Sequence, residues 1–189
     1  MPMTIEFAAH LVARAAAGAA LFACANAFPA SAQIACACND AGETEGFRAV
    51  ATITDAHDWQ ERWNTPPEVA PEFPAPEGAL FLGETGHLLV FFANAATLEG
   101  AAELSCDIRI SRPNGKVTDE GPLPRGQGPI SGPPENLRLT TMRMDLEVES
   151  TDPSGLWQFD IGVTDVVRGV RVPLHLAFPV DASRERPAQ

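Results

Sequence analysis

Residues 151–180, TDPSGLWQFDIGVTDVVRGVRVPLHLAFPV, spell out a two-stranded hairpin almost residue by residue. Asp152-Pro153-Ser154-Gly155 is a turn, and after it Trp157, Phe159, Ile161 and Val163 alternate with Gln158, Asp160, Gly162 and Thr164. A period of two is the mark of a strand with one face buried. Residues 165–169 break the run. Val170, Val172, Leu174, Leu176, Phe178 and Val180 then alternate with Arg171, Pro173, His175, Ala177 and Pro179 as the returning partner. Pro173 and Pro179 cannot donate to a ladder, so this second strand is expected at a sheet edge or bulged.

Working outward, the same alternation places Leu104, Cys106, Ile108 and Ile110 on one face of another strand, ended by the Pro113-Asn114-Gly115 turn. Leu137 and Leu139 lie on one parity and Met142, Met144, Leu146 and Val148 on the other, so the pattern slips near Thr140-Thr141, as a bulge or a change of sheet would make it. Residues 47–54 read as a strand. The apolar runs 79–82 and 87–93 read as two more, joined tightly through Gly83-Glu84-Thr85-Gly86. Thr54-Asp55 can cap a short helix that ends at Asn64-Thr65-Pro66. Trp59 and Trp63, four apart, share one face of that helix. They are taken as its anchor on the core; the other reading is an exposed, carbohydrate-stacking pair. Residues 66–76 hold five prolines and are extended, and residues 121–134 hold five prolines and four glycines and are expected as a long irregular loop. About seven short strands, one short helix and no βαβ alternation point to an all-β fold, an antiparallel β-sandwich.

The first 32 residues differ in kind. Glu6 and Arg14 are their only formal charges, and an Ala-rich run over residues 15–28 precedes Ala30-Ser31-Ala32. A run of about 14 residues is too short to span a bilayer, which needs about 20, and the small-x-small triplet is a secretory cleavage pattern. Lipoprotein processing at Cys24 is opposed by the bulk of Phe22. The expected organisation is a signal peptide over 1–32, an extended leader over 33–46, a β-sandwich over 47–181 and a tail over 182–189. Losing the signal removes one charge of each sign, so the net charge of −12 is kept. That acidity opposes binding to nucleic acid or to anionic membrane surfaces.

Several of these segments together resemble a group of uncharacterised secreted bacterial proteins. They are Asp58-Trp59-Gln60-Glu61-Arg62-Trp63, the run from Cys106 to Gly115, Asp152-Pro153-Ser154-Gly155-Leu156-Trp157, Val163-Thr164-Asp165 and Leu176-Ala177-Phe178-Pro179-Val180. Chains of that group end in D-P-x-G-x-Y, a V-x-D strand end and a final F-x-V strand; Trp157 stands here where Tyr is usual. The hairpin is also similar to those of macroglobulin-like and other bacterial immunoglobulin-like domains. The resemblance implies an immunoglobulin-like sandwich and carries no catalytic residues with it.

Chemistry-bearing residues are few. In an oxidising compartment Cys36 or Cys38 is expected to bridge to the inward-facing Cys106, pinning the leader to the sandwich and leaving one thiol over. The sharper alternative joins Cys36 and Cys38 to Met142 and Met144 as soft ligands for Cu(I) or as a thiol redox site; against it, both methionines share the apolar parity of Leu146 and Val148 and suit core filling. His57, His87 and His175 read as solitary structural histidines. Ser131 lacks the nucleophile-elbow spacing, and the acids Asp119, Glu120, Glu147, Glu149 and Asp160 fall on loops or outward parities. The expectation is therefore an exported, periplasmic or secreted accessory protein that needs no cofactor, does not insert in the membrane after cleavage, and binds another protein or an envelope component without turning it over. Candidate contacts are Trp59 and Trp63 on the helix and Arg125 and Gln127 in the Pro/Gly stretch. A copper or redox protein is the alternative and an envelope hydrolase the third.

Overall fold

The structure is a computed structural model that describes residues 37–64, 71–130 and 132–187; the expected signal segment and the start of the leader lie outside the described residues. The elements run β1 (Asn39–Thr44), β2 (Phe47–Thr54), α1 (Trp59–Asn64), β3 (Leu80–Phe81), β4 (Thr85–Ala93), β5 (Thr97–Leu98), β6 (Ala101–Ser111), β7 (Val117–Pro129), β8 (Arg138–Glu147), β9 (Gly155–Asp165) and β10 (Val170–Asp181). The fold is all-β with one short helix, as expected, though with ten strands among the described residues instead of about seven. One sheet has the order β1-β2-β4-β8; the other has β3-β10-β9-β6-β5, with β7 paired to β6.

The hairpin forms as its alternation requires. β9 and β10 run antiparallel with Ile161 opposite Leu174 and Trp157 opposite Phe178. Their inward residues join Phe47, Ala49 and Ile53 of β2, Leu88, Val90 and Phe92 of β4, and Ile108 and Ile110 of β6 in one core between the sheets. Phe159 and Phe178 stack at 5.3 Å. β10 lies close to the sheet edge, as its prolines demand: beyond β9 it meets the two-residue β3, in parallel, and a single bridge at Ala37–Ala177.

The turn before β9 accounts for every residue of its motif. The Glu149 amide donates to the Asp152 carboxylate at 3.0 Å, the Trp157 indole N–H donates to the Pro153 carbonyl at 3.0 Å, and the Arg112 guanidinium lies over the Trp157 ring at 4.5 Å. Gly155 has φ +134, and a Cβ there would stand 2.8 Å from Pro113. Only glycine fits both the backbone and the space.

At the opposite end of the hairpin Asp165 is fully buried. Its carboxylate accepts from the Ala96 amide at 2.7 Å and the Arg168 amide at 3.0 Å. Arg168 in turn donates to the carbonyls of Glu45 at 2.9 Å and Asn94 at 3.0 Å. The β1–β2 turn, the β4–β5 connection and the β9–β10 turn are thus tied to one carboxylate.

Runs 79–82 and 87–93 form β3 and β4, joined tightly as expected, with the connection crossing from one sheet to the other. Three expectations are corrected. Residues 39–44 are not a loose leader: β1 pairs with β2 from Asn39↔Thr52 to Thr44↔Phe47, and its low apolar content suits an edge strand. Residues 121–129 are not a loop but the second half of β7. Its prolines are tolerated because β7 pairs only with β6, in a ladder already irregular near Ser105 and Asp107. At that irregularity Gly121 has φ +96, and a Cβ would stand 2.6 Å from the Cys106 carbonyl oxygen. Residues 182–187 are docked instead of trailing: Arg186 donates to Glu84 at 2.5 and 2.9 Å and to the Glu77 and Ala79 carbonyls, with its guanidinium 4.8 Å over Phe81. Of the cysteines expected to bridge, Cys38 and Cys106 are both buried in the core, Cys38 is disulfide-bonded, and Cys36 lies outside the described residues.

The slip near Thr140 is a bulge. Between Leu89↔Arg143 and Phe91↔Leu139, β4 advances by two residues and β8 by four. The Thr140 hydroxyl fills the ladder there, accepting from the Met142 amide at 3.1 Å and donating to the Met142 carbonyl.

Two outcomes test this account. Asp165→Ala leaves two buried amides without an acceptor and is expected to cost roughly 2–4 kcal/mol of unfolding free energy, against less than half that for Asp165→Asn; equal, small losses in urea titrations would contradict the knot. The hydrogen bonds from Arg186 hold the Glu84 carboxyl below its ordinary 4.5. A carboxyl whose pKa falls on folding stabilises the fold above its unfolded value and ceases to as pH drops through the folded one. Arg186→Ala should therefore lower the melting temperature at neutral pH and matter progressively less below 4.5. A gap from wild type that stays constant with acidification would rule out this pairing.

Candidate functional site

Most of β4 is apolar on both faces. Leu88, Val90 and Phe92 point into the core between the sheets, while Leu89 and Phe91 are equally buried on the other side. There they join Trp59 in a second, smaller cluster, against which Val50, Trp63, Phe73, Leu137 and Leu139 pack. The bulge at Thr140 is what turns Leu137 and Leu139 toward this cluster while Met142 stays in the main core.

Helix α1 supplies the cover. Asp58 and Arg62 pair across one turn at 2.8 Å, and the Arg62 hydrogen bond holds the Asp58 carboxyl below the usual carboxylate value. The two tryptophans do share a face, but they divide the two roles between them. Trp59 is 5% exposed and packs beside His87, ring centroids 6.1 Å apart. Trp63 is only partly buried; its ring tilts over Phe91 at 5.0 Å, and Phe91 stacks on Phe73 at 5.7 Å and 21°. The buried Thr54 hydroxyl positions the proline-rich strap that carries Phe73: it donates to the Pro74 carbonyl at 2.6 Å and accepts from the Ala56 amide at 3.2 Å.

Beside Trp63 a cleft of about 480 Å³ opens, lined among the described residues by Asn39, Val50, Thr52, Trp63, Pro71, Phe73, Phe91, Asn136 and Leu137. Its floor is aromatic and aliphatic and its rim is amide and hydroxyl. The Thr52 hydroxyl donates to the Asn39 carboxamide oxygen. Asn136 is presented by the turn at 133–136, which Arg138 braces by donating to the carbonyls of Pro133 at 2.8 Å, Pro134 at 3.1 Å and Asn136 at 2.7 Å. None of the described lining residues is ionisable, so these residues offer van der Waals contact and neutral hydrogen bonds.

The remaining candidates lie elsewhere. Arg125 and Gln127 stand in β7, Gln127 opposite Glu103 of β6 in the other sheet. Met142 is buried in the main core and Met144 packs against it. His57 and His87, which look solitary in sequence, meet edge to face at 6.2 Å, and His87 Nδ1 lies 2.7 Å from the Asp145 carboxylate. His175 Nδ1 lies 2.8 Å from the Asp160 carboxylate. Among the described residues no group of three or more His, Cys, Asp or Glu is placed to hold a metal ion. Ser154 accepts a hydrogen bond from the Ala182 amide, and Ser131 lies outside the described residues.

Sequence reasoning finds Trp63 but misses Phe73, Phe91, Asn39, Thr52 and Asn136. The signal available for Phe91 is the unbroken run Leu88-Leu89-Val90-Phe91-Phe92, which no half-exposed strand would carry. Phe73, the sole aromatic among the prolines of 66–76, has the same kind of signal. The three rim residues have none.

No protein-family model and no curated protein matches the chain. Among solved structures it is similar to the Pseudomonas fluorescens alkylpurine DNA glycosylase AlkC bound to DNA containing an abasic site analog, with 17% identity and a TM-score of 0.32 over 55% of this chain; the chain spans only 28% of that protein. It is also similar to the C-terminal domain of wzt, with 14% identity and a TM-score of 0.38 over 80% of this chain and 89% of that one. Both scores are too low to bear on function.

The division of labour between the tryptophans has a measurable consequence. Trp59→Ala is expected to destabilise the fold by about 3 kcal/mol, as large-to-small changes in a closed cluster do, whereas Trp63→Ala should cost under about 1.5 kcal/mol because its ring is already partly in water. Chemical unfolding of the two variants checks the order; a reversal would mean that Trp63 is the anchor.

Proposed function

We propose that this chain is an exported, non-catalytic accessory protein, an immunoglobulin-like sandwich that binds another protein or an envelope component at the cleft beside Trp63. The observation that carries this reading is the make-up of the cleft. Three aromatic rings and aliphatic neighbours form a concave apolar floor, with a few amide and hydroxyl groups at its rim. That combination recognises and orients a ligand, and its described lining holds no ionisable side chain. Apart from the short parallel β3–β10 contact, the strand neighbours are antiparallel, and with the closing hairpin they support the immunoglobulin-like assignment. The apolar run and cleavage triplet of residues 15–32 support export to the periplasm or beyond, and the net charge of −12 disfavours nucleic acid.

A photo-crosslinking amino acid at position 63 or 136 is expected to capture a partner in cells, while the same group at Gln158, exposed on the outer face of the other sheet, captures none. Equal capture from position 158, or none from 63 and 136, would refute the cleft as the binding site. Recovery of the chain in the cytoplasm with residues 1–32 still attached would refute export.

A further inference from the structure

We infer that the ligand of this cleft is a neutral saccharide, taken with one sugar face over Trp63 and Phe73 and its hydroxyls at the amide rim; the inference rests on the cleft being the binding site. Three observations narrow the chemistry. The first is charge. One residue in five of this chain is charged, yet none of the described residues lining the cleft is. A charged ligand would shed water there and find no counter-charge, at a cost of several kcal/mol. The described lining therefore favours a neutral occupant.

The second is the unused hydrogen-bonding capacity. The Asn39 carboxamide oxygen is engaged by Thr52, but its NH₂ group, the Asn136 carboxamide and the Trp63 indole N–H meet no partner among the described residues, and both asparagines are exposed. A purely apolar occupant would bury these groups without replacing their water, which is unfavourable for each. An occupant carrying hydroxyls, each donor and acceptor at once, satisfies them while its C–H face covers the rings. The third is the backbone beneath. β2 is paired on both sides, with β1 and β4, and β4 on both sides, with β2 and β8. Neither of these two floor strands offers an open edge, so an extended peptide could not add to the sheet across the floor of the cleft, and strand addition is the commonest way such a segment gains main-chain affinity. The volume of about 480 Å³ sits within the roughly 300–1,000 Å³ of small-ligand sites.

The test is binding of the purified mature chain to three immobilised sets: neutral di- to tetrasaccharides of hexoses and N-acetylhexosamines, the same lengths containing uronic acids, and proline-rich decapeptides. Each is probed with wild type, Trp63→Ala, Trp63→Phe and Asn136→Ala, all first shown to be folded by circular dichroism. The expected result is retention of one or more neutral saccharides, weakened at least about tenfold by Trp63→Ala and by Asn136→Ala and largely kept by Trp63→Phe. Retention of the peptides or the uronic set instead, still lost with Trp63→Ala, overturns the saccharide inference and leaves the cleft as the site. Binding that survives Trp63→Ala, or no binding to any set, overturns the saccharide inference too, and in the first case the cleft with it.

Discussion

The Asp165 carboxylate is the constraint on which the rest of the structure depends. It has no exposure to water and is held by two amides and by Arg168. A buried carboxylate is tolerated only when its hydrogen-bonding capacity is met, so the three chain segments joined through it and Arg168 are fixed together. Two of them, the β1–β2 turn and the end of β4, belong to one sheet; the third closes the β9–β10 hairpin of the other. The spacing of the sheets at this end, and with it the position of β2 and β4 under the cleft, follows from a single side chain.

The other end of the hairpin is held by different chemistry. There the turn before β9 closes on itself through Asp152 and Trp157, with Arg112 above the indole and Pro113 seated against Gly155. The docked C-terminal segment adds the Arg186–Glu84 pair and two carbonyl contacts. Asp152, Pro153, Ser154, Gly155 and Trp157 of this turn, and Asp165 at the far end of β9, thereby have architectural roles. Of the resembling segments, the one that reaches the cleft is Asp58 to Trp63, and in it Trp63 alone.

The cleft itself is a product of mismatched lengths. A strand of nine residues such as β4 spans about 30 Å, whereas the six residues of α1 rise about 9 Å. The helix covers Leu89 with Trp59 and reaches Phe91 with the edge of Trp63. Past that point, among the described residues, the outer face of the sheet is walled by the strap carrying Phe73 and by the turn carrying Asn136. Burial of Trp59 and openness beside Trp63 are two results of the same short helix, which is why residues four apart on one face serve different ends.

By itself the sequence determined the all-β class, the β9–β10 hairpin with its inward and outward residues, the slip at Thr140 and the short helix with two aromatic residues on one face. These are local consequences of side-chain period, proline chemistry and turn propensity, and they need no partner to be legible. Which strands are neighbours was decided only in three dimensions. A tight connection reads the same whether it joins paired strands or crosses between sheets, as at Gly83 to Gly86. A stretch dense in prolines reads as a loop unless it is known to lie at an edge, as β7 does, and a polar segment reads as a leader unless a strand such as β2 stands ready to pair with it. The site followed the same rule: Trp63 was visible from its spacing to Trp59, but Asn39, Thr52, Phe73, Phe91 and Asn136 come from five separate segments and share a surface only because the sheet, the strap and the braced turn bring them there.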